Sequence, residues 1–122
     1  MAMLKDAQTT QDGIAFLHGS FRPNGSSAVD NDNNEGTGFT VARGGTGTFT
    51  ITFSDKWTGL IAAGASLQLA SADDKFVELG AFTLASKTLV INVWDVSDAA
   101  VADVASNANN KIHFWVCYNY RS

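Results

Sequence analysis

GTGFTVARGGTGTFTITF, Gly36 to Phe53, decides the fold. In its second half Phe49, Ile51 and Phe53 alternate with Thr48, Thr50 and Thr52. Successive side chains of a strand point to opposite faces, so this segment has one apolar face and one hydroxyl face. Phe39 and Val41 alternate with Thr40 and Ala42 in the same way. Arg43-Gly44-Gly45-Thr46-Gly47 lies between the two runs, and glycine supplies the positive φ values that a tight reversal requires. The stretch predicts a β-hairpin with one wet face and one dry face.

Working outward, Gly13–Phe21 (GIAFLHGSF) reads as a strand with Ile14, Phe16 and His18 on one face and Ala15, Leu17 and Gly19 on the other. Arg22-Pro23-Asn24-Gly25 ends it, because proline lacks an amide donor and Asn-Gly favours a turn. Ala28–Gly36 is a polar loop. After the hairpin, Ser54–Ile61 is expected to cap and form one helical turn, with Trp57 and Leu60 closing one end of the domain. Ser66–Ser71 and Phe76–Phe82 follow as strands, the latter with a possible bulge at Gly80. Lys87–Val96 and Ile112–Tyr120 carry the longest β patterns. Ser97–Asn110 is either a short helix capped by Ser97 or a loop crossing the domain. About seven strands with frequent turn signals, and no long amphipathic helix, predict an all-β, single-domain antiparallel β-sandwich of jelly-roll or immunoglobulin-like type over residues 13–122. Residues 1–12 are read as a polar N-terminal arm.

Only 16% of the 122 residues are charged, against about 25% in typical soluble domains. Such a surface is easily desolvated and suits a protein packed against neighbours. Eight Lys and Arg against 12 Asp and Glu give a net charge of −4, which disfavours a grip on phosphate backbones. Cys117 is the single cysteine, which excludes an intrachain disulfide and favours a reducing cytoplasm. No apolar stretch suggests a signal peptide or a membrane span, so neither nucleic acid nor membrane is expected as a partner.

The last strands are apolar on both faces. Ile112, Phe114, Val116, Tyr118 and Tyr120 share one face of the final strand; His113, Trp115, Cys117 and Asn119 share the other. In the preceding strand Leu89, Ile91 and Val93 oppose Val90, Asn92 and Trp94. A wetted sheet face should be polar, so Trp94 and Trp115 predict cover from a loop of the chain or from another subunit, and the second is the expectation adopted.

Catalytic signatures are missing. His18 and His113 have no Cys, Asp or Glu at ligand spacing, and read as strand residues. Asp30, Asp32 and Asn34 fit the start of a calcium loop, but the sixth position is Glu35 and the twelfth is Val41, so a solvated acidic loop is the expectation. Asp73 and Asp74 sit in a turn without a pocket, and no G-x-S-x-G elbow or phosphate loop is present. No cofactor, metal or enzymatic activity is expected.

The order GFTVARGGTGTFTITFSDKW, then SLQLASADDKFVELGAF, then KTLVINVWDVSDAAVADVASNANNKIHFWVCYNY resembles small virion proteins of tailed bacteriophages, described as head decoration or cement proteins. The resemblance spans roughly residues 15–120 and departs at the unusually aromatic Trp115–Tyr120. It implies a β-sandwich on the outer capsid surface, assembled in the host cytoplasm. The domain would act as a homotrimer and bridge subunits of the major capsid protein. It also implies subunit contacts at Trp94, Trp115 and Tyr118. Capsid contacts are implied at Phe21, Arg22 and Asn24, and the polar segments 1–12 and 22–36 would reach to the capsid. The alternative is a carbohydrate- or receptor-binding module of a tail fibre or spike, with Trp57, Trp94 or Trp115 as stacking platform.

Overall fold

A computed structural model describes residues 8–11 and 13–120. Nine strands build two antiparallel sheets: β1 (Gln8–Gln11), β2 (Ile14–Phe21), β3 (Phe39–Gly45), β4 (Thr48–Phe53), β5 (Gly59–Gln68), β6 (Lys75–Thr83), β7 (Thr88–Asp95), β8 (Ala100–Val101) and β9 (Lys111–Asn119). One sheet runs β1-β2-β9-β5 and the other β3-β4-β7-β6, with β8 added to β7. The domain is a β-sandwich. Seven of its strands have six or more residues, which matches the number expected from the turn spacing.

The hairpin forms as its alternation requires. Phe39 faces Phe53, Val41 faces Ile51, and a shift between Arg43 and Gly45 absorbs the glycine pair before the turn at Thr46-Gly47. Phe49, Ile51 and Phe53 point inward beside Leu89, Ile91 and Val93 of β7. From the other sheet come Ala15, Leu17 and Phe21 of β2 and Ile112, Phe114, Val116 and Tyr118 of β9. Rings interlock between the layers: Phe39 meets Phe114 edge-on at 4.7 Å, and Phe21 meets Phe49 at 5.2 Å. Burying each such side chain stabilises the fold by about 1.5–3 kcal/mol before chain entropy is counted.

Several segments differ from the sequence expectation. Gln8–Gln11, assigned to a polar arm, pairs with β2 as a short edge strand; residues 1–7 and 12 of that arm lie outside the described residues. No helical turn forms at Ser54–Ile61, and Asp55 is drawn inward to a tertiary partner. Its carboxylate, 2% exposed, accepts from the Tyr118 hydroxyl at 2.7 Å. Strand β5 starts directly afterwards at Gly59, seven residues before the expected Ser66. Its Gly-Ala-rich first half has weak strand propensity, and pairing with β9 overrides that weakness. A bulge between Leu60 and Ala62 turns Ile61 outward and sets Ala63, Ala65 and Leu67 against the core. The expected irregularity at Gly80 is present, between Leu79 and Phe82. Residues 97–110 take the crossing alternative: a turn, the two-residue β8, and an irregular passage back to β9.

Asp103 pins that passage to the hairpin. The Arg43 guanidinium donates to it through Nε at 3.2 Å and Nη2 at 2.9 Å, and the Gly47 amide donates at 2.9 Å. The Arg43 bonds, helped by Gly47, hold the Asp103 carboxyl below its ordinary range against the opposing effect of burial. A depressed native pKa means that the native state binds the proton less tightly than the unfolded chain. The stabilisation is therefore complete above about pH 4 and fades as pH falls through the native value. Asp103→Asn is expected to lower the unfolding free energy by about 1–2 kcal/mol at pH 7. The gap between urea melts of the two proteins should shrink as pH is lowered below about 4, and a gap that stays the same through the acid range would refute the linkage.

Candidate functional site

Strand alternation sends half of each sheet outward, and the two outer faces differ in chemistry. On the β3-β4-β7-β6 sheet, Thr40, Thr52, Thr88 and Thr83 stand in register across four strands. Farther along, Trp94 opposes Phe76, and its indole N–H donates to Glu78 at 2.7 Å. Trp94 is thereby half-buried on its own sheet by a neighbour of the same chain.

Several large apolar side chains are exposed on and beside the rim formed by β5 and β6. The edge strands β5 and β6 pack beside each other where the two sheets meet. Ile61 on β5, Phe76 and Leu79 on β6, and Leu84 and Val96 in the flanking turns are all exposed, Val96 by 59% and Phe76 by 48%.

The outer face of the β1-β2-β9-β5 sheet is aromatic and polar. Register places His18, Trp115 and Gly64 in one row, and Ser20, His113 and Ser66 in the next. Trp115 is 39% exposed, the one exposed tryptophan among the described residues. Its ring is stacked with Phe16, centroids 5.9 Å apart and planes 24° apart. The indole also lies across Gly64, where a Cβ would stand 2.3 Å from Nε1 and 2.5 Å from Cε2. Only glycine lets the ring lie down on β5. His113 shares a hydrogen bond of 2.8 Å between Nε2 and the Gln68 carboxamide oxygen.

Two hollows of about 290 Å³ each cross this face. They share His18, Gly19 and His113, so they form one trough from Trp115 to the ion pair of Lys111 and Glu35. The Lys111 ammonium, and next the Ser20 hydroxyl, hold the Glu35 carboxyl below its usual range. A larger cleft of about 380 Å³ lies between the β5–β6 turn and the 103–110 passage. Its ionisable groups are already paired, Lys75 with Asp73 and Asp95, and Asp103 with Arg43. The Lys75 bond brings Asp73 down to about 2.

The structure redistributes the residues assigned from sequence. Trp115 is at the surface, uncovered by any described loop. Tyr118 is not a surface residue: it is fully buried, on the opposite face of β9 from Trp115, with its ring stacked on Trp57 at 4.2 Å. Trp57 is 6% exposed and so offers no stacking platform. Phe21 is likewise in the core, at 1% exposure, so it makes no capsid contact. Arg22 is half-buried, with Nε enclosed and unpaired among the described residues. Asn24 closes its own turn, donating to the Ala28 carbonyl at 3.0 Å. In the acidic loop, Asp30 accepts from the Asp32 amide at 3.0 Å, and Asn31 brackets Val41, accepting from its amide at 2.8 Å and donating to its carbonyl at 3.2 Å. Those oxygens serve the chain's own backbone. The sequence carried no signal for Gly64 beneath Trp115, since that contact depends on strand register.

Among the described residues, no group of three or more His, Cys, Asp or Glu side chains is arranged to hold a metal ion, and no helix is long and apolar enough to cross a membrane. Comparison with protein-family models, curated proteins and solved structures found no match to this chain.

Proposed function

We propose that this chain is a non-catalytic assembly protein of a virion. It decorates the outside of a tailed-phage head, binds the major capsid protein, and bridges neighbouring subunits as a homotrimer. The observation that supports this reading is the exposure of Ile61, Phe76, Leu79, Leu84 and Val96 on and beside the edge strands β5 and β6. A rim of this kind offers desolvatable area without charge to strip, which is what a permanent contact with a protein shell requires. The strand-and-turn order that resembles decoration proteins, and the low charge of the chain, support the same reading.

Mixing the purified protein with undecorated, expanded heads from a panel of tailed phages should give co-sedimentation and a higher melting temperature of the decorated shell. Phe76→Asp with Leu79→Asp should abolish both effects while leaving the circular dichroism spectrum unchanged. Native mass spectrometry should show a species of three chains. A monomer that sediments with none of the shells would refute the proposal.

A further inference from the structure

We propose that the trough on the outer face of the β1-β2-β9-β5 sheet is a saccharide-binding site, in which Trp115 and Phe16 stack against a neutral pyranose ring. This site is independent of the β5–β6 rim and stands whether or not the rim docks on a shell.

Three observations point to a sugar. The first is the exposed aromatic plane. A pyranose has an apolar face of axial C–H groups, and an aromatic ring of matching breadth covers that face. Trp115 presents such a plane because Gly64 leaves nothing underneath it. Glycine weakens a strand relative to alanine, and the atoms nearest to where a side chain would stand here are those of Trp115. Its effect is to lay an indole flat toward solvent.

The second is the set of polar groups at the margin of that plane. A sugar ring is edged by hydroxyls that both donate and accept, so its site needs neutral groups of both kinds. Ser66 and His18 line the trough, and His113 is held in orientation by Gln68. His113, Ser66 and His18 thus bring neutral polar groups to the margin of the plane. Such pairing of apolar plane and few polar groups is the usual composition of small-molecule sites.

The third is charge. Among the described residues, no carboxylate or ammonium lines the hollow beside Trp115, and the charges at the far end, Lys111 and Glu35, neutralise each other. A nucleotide would bring phosphate to a chain of net charge −4 without an unpaired cation in the trough to receive it. A neutral sugar meets no such penalty. The two joined hollows, about 290 Å³ each, give length for more than one ring.

The test uses the whole protein on an array of neutral and acidic glycans, followed by titration of its tryptophan fluorescence with the neutral oligosaccharides that bind. Binding of at least one neutral class is expected, with a change in emission, since Trp115 is the exposed tryptophan. Trp115→Ala should weaken it more than tenfold. Gly64→Val keeps Trp115 but tilts the indole away from β5, and should weaken binding comparably. Thermal melts identify any loss of fold, and Ser66→Ala, a mild change beside the plane, supplies a variant that folds and should weaken binding several-fold. Phe76→Asp, on the rim, should leave sugar binding intact, which separates this site from shell docking. An array without neutral-glycan binding, binding of acidic glycans alone, or affinity unchanged in folded Trp115→Ala would overturn the proposal.

Discussion

Trp57→Ala is expected to lower the unfolding free energy by about 3–5 kcal/mol, measured by urea denaturation followed by far-UV circular dichroism. The indole joins both layers at one end of the sandwich. It stacks on Tyr118 of β9 at 4.2 Å and 14°, on Phe82 of β6 at 5.5 Å and 18°, and approaches Phe53 of β4 at 4.6 Å. Removing it leaves a void between two sheets whose strands are held by their hydrogen-bond ladders, so collapse cannot fill the space. Trp57→Phe should cost much less, about 1–2 kcal/mol. The smaller ring retains the stack and also removes an indole N–H that is buried without a hydrogen-bond partner. A loss under 1 kcal/mol for the alanine variant would place Trp57 outside the core.

Gly47→Ala is expected to cost about 2–4 kcal/mol, the second largest effect of a single change. Its φ is +60°, a region where a side chain is strained. A Cβ there would stand 2.7 Å from both the nitrogen and the oxygen of Ala102 and 2.9 Å from the Val93 carbonyl oxygen. Those atoms are backbone and are tied in place. The Val93 amide donates to Gly47 at 2.7 Å, and the Ala102 amide donates to Val93 at 3.0 Å. Relief would require the passage after β8 to leave the hairpin, breaking the Asp103 contacts with it. Thr46→Ala, at the neighbouring exposed position, should change stability by less than about 0.5 kcal/mol. Chemical denaturation of the two variants side by side checks this, and equal effects would show that the turn tolerates a side chain.

Alternation made the fold readable where one residue in two is large and apolar. Phe49-Thr50-Ile51-Thr52-Phe53 and Ile112–Tyr118 each define their faces without help from the rest of the chain. It also placed Trp115 and Tyr118 on opposite faces of one strand, which excludes a single flat interface through both. What alternation does not say is which of two apolar faces is dry. That depends on the partner sheet, and here Phe114, Val116 and Tyr118 won the interior because Phe39, Phe53 and Trp57 meet them there. Asp55 misled for a related reason. Next to a serine and before a tryptophan it has the look of a helix cap, yet its partner is Tyr118, 63 positions away. Small residues hid β5, since Gly59–Ala65 has little side chain to show a period. The saccharide trough was legible only in its components: an aromatic and two histidines were visible, while their assembly arises from β2, β9 and β5 lying side by side.

Strand β9 sits between β2 and β5, and these two do not pair with each other. Half of the sandwich therefore has no hydrogen-bonded centre until Lys111–Asn119 has been synthesised and has left the ribosome. The β3–β4 hairpin and β7 can associate earlier, but their apolar faces then wait uncovered for the missing layer. Sequence-distant pairing of this kind, Ile14 with Asn119 at the extreme, makes folding slow. The nascent chain thus passes through a stage in which chaperones, or other copies of itself, can reach what will become the core.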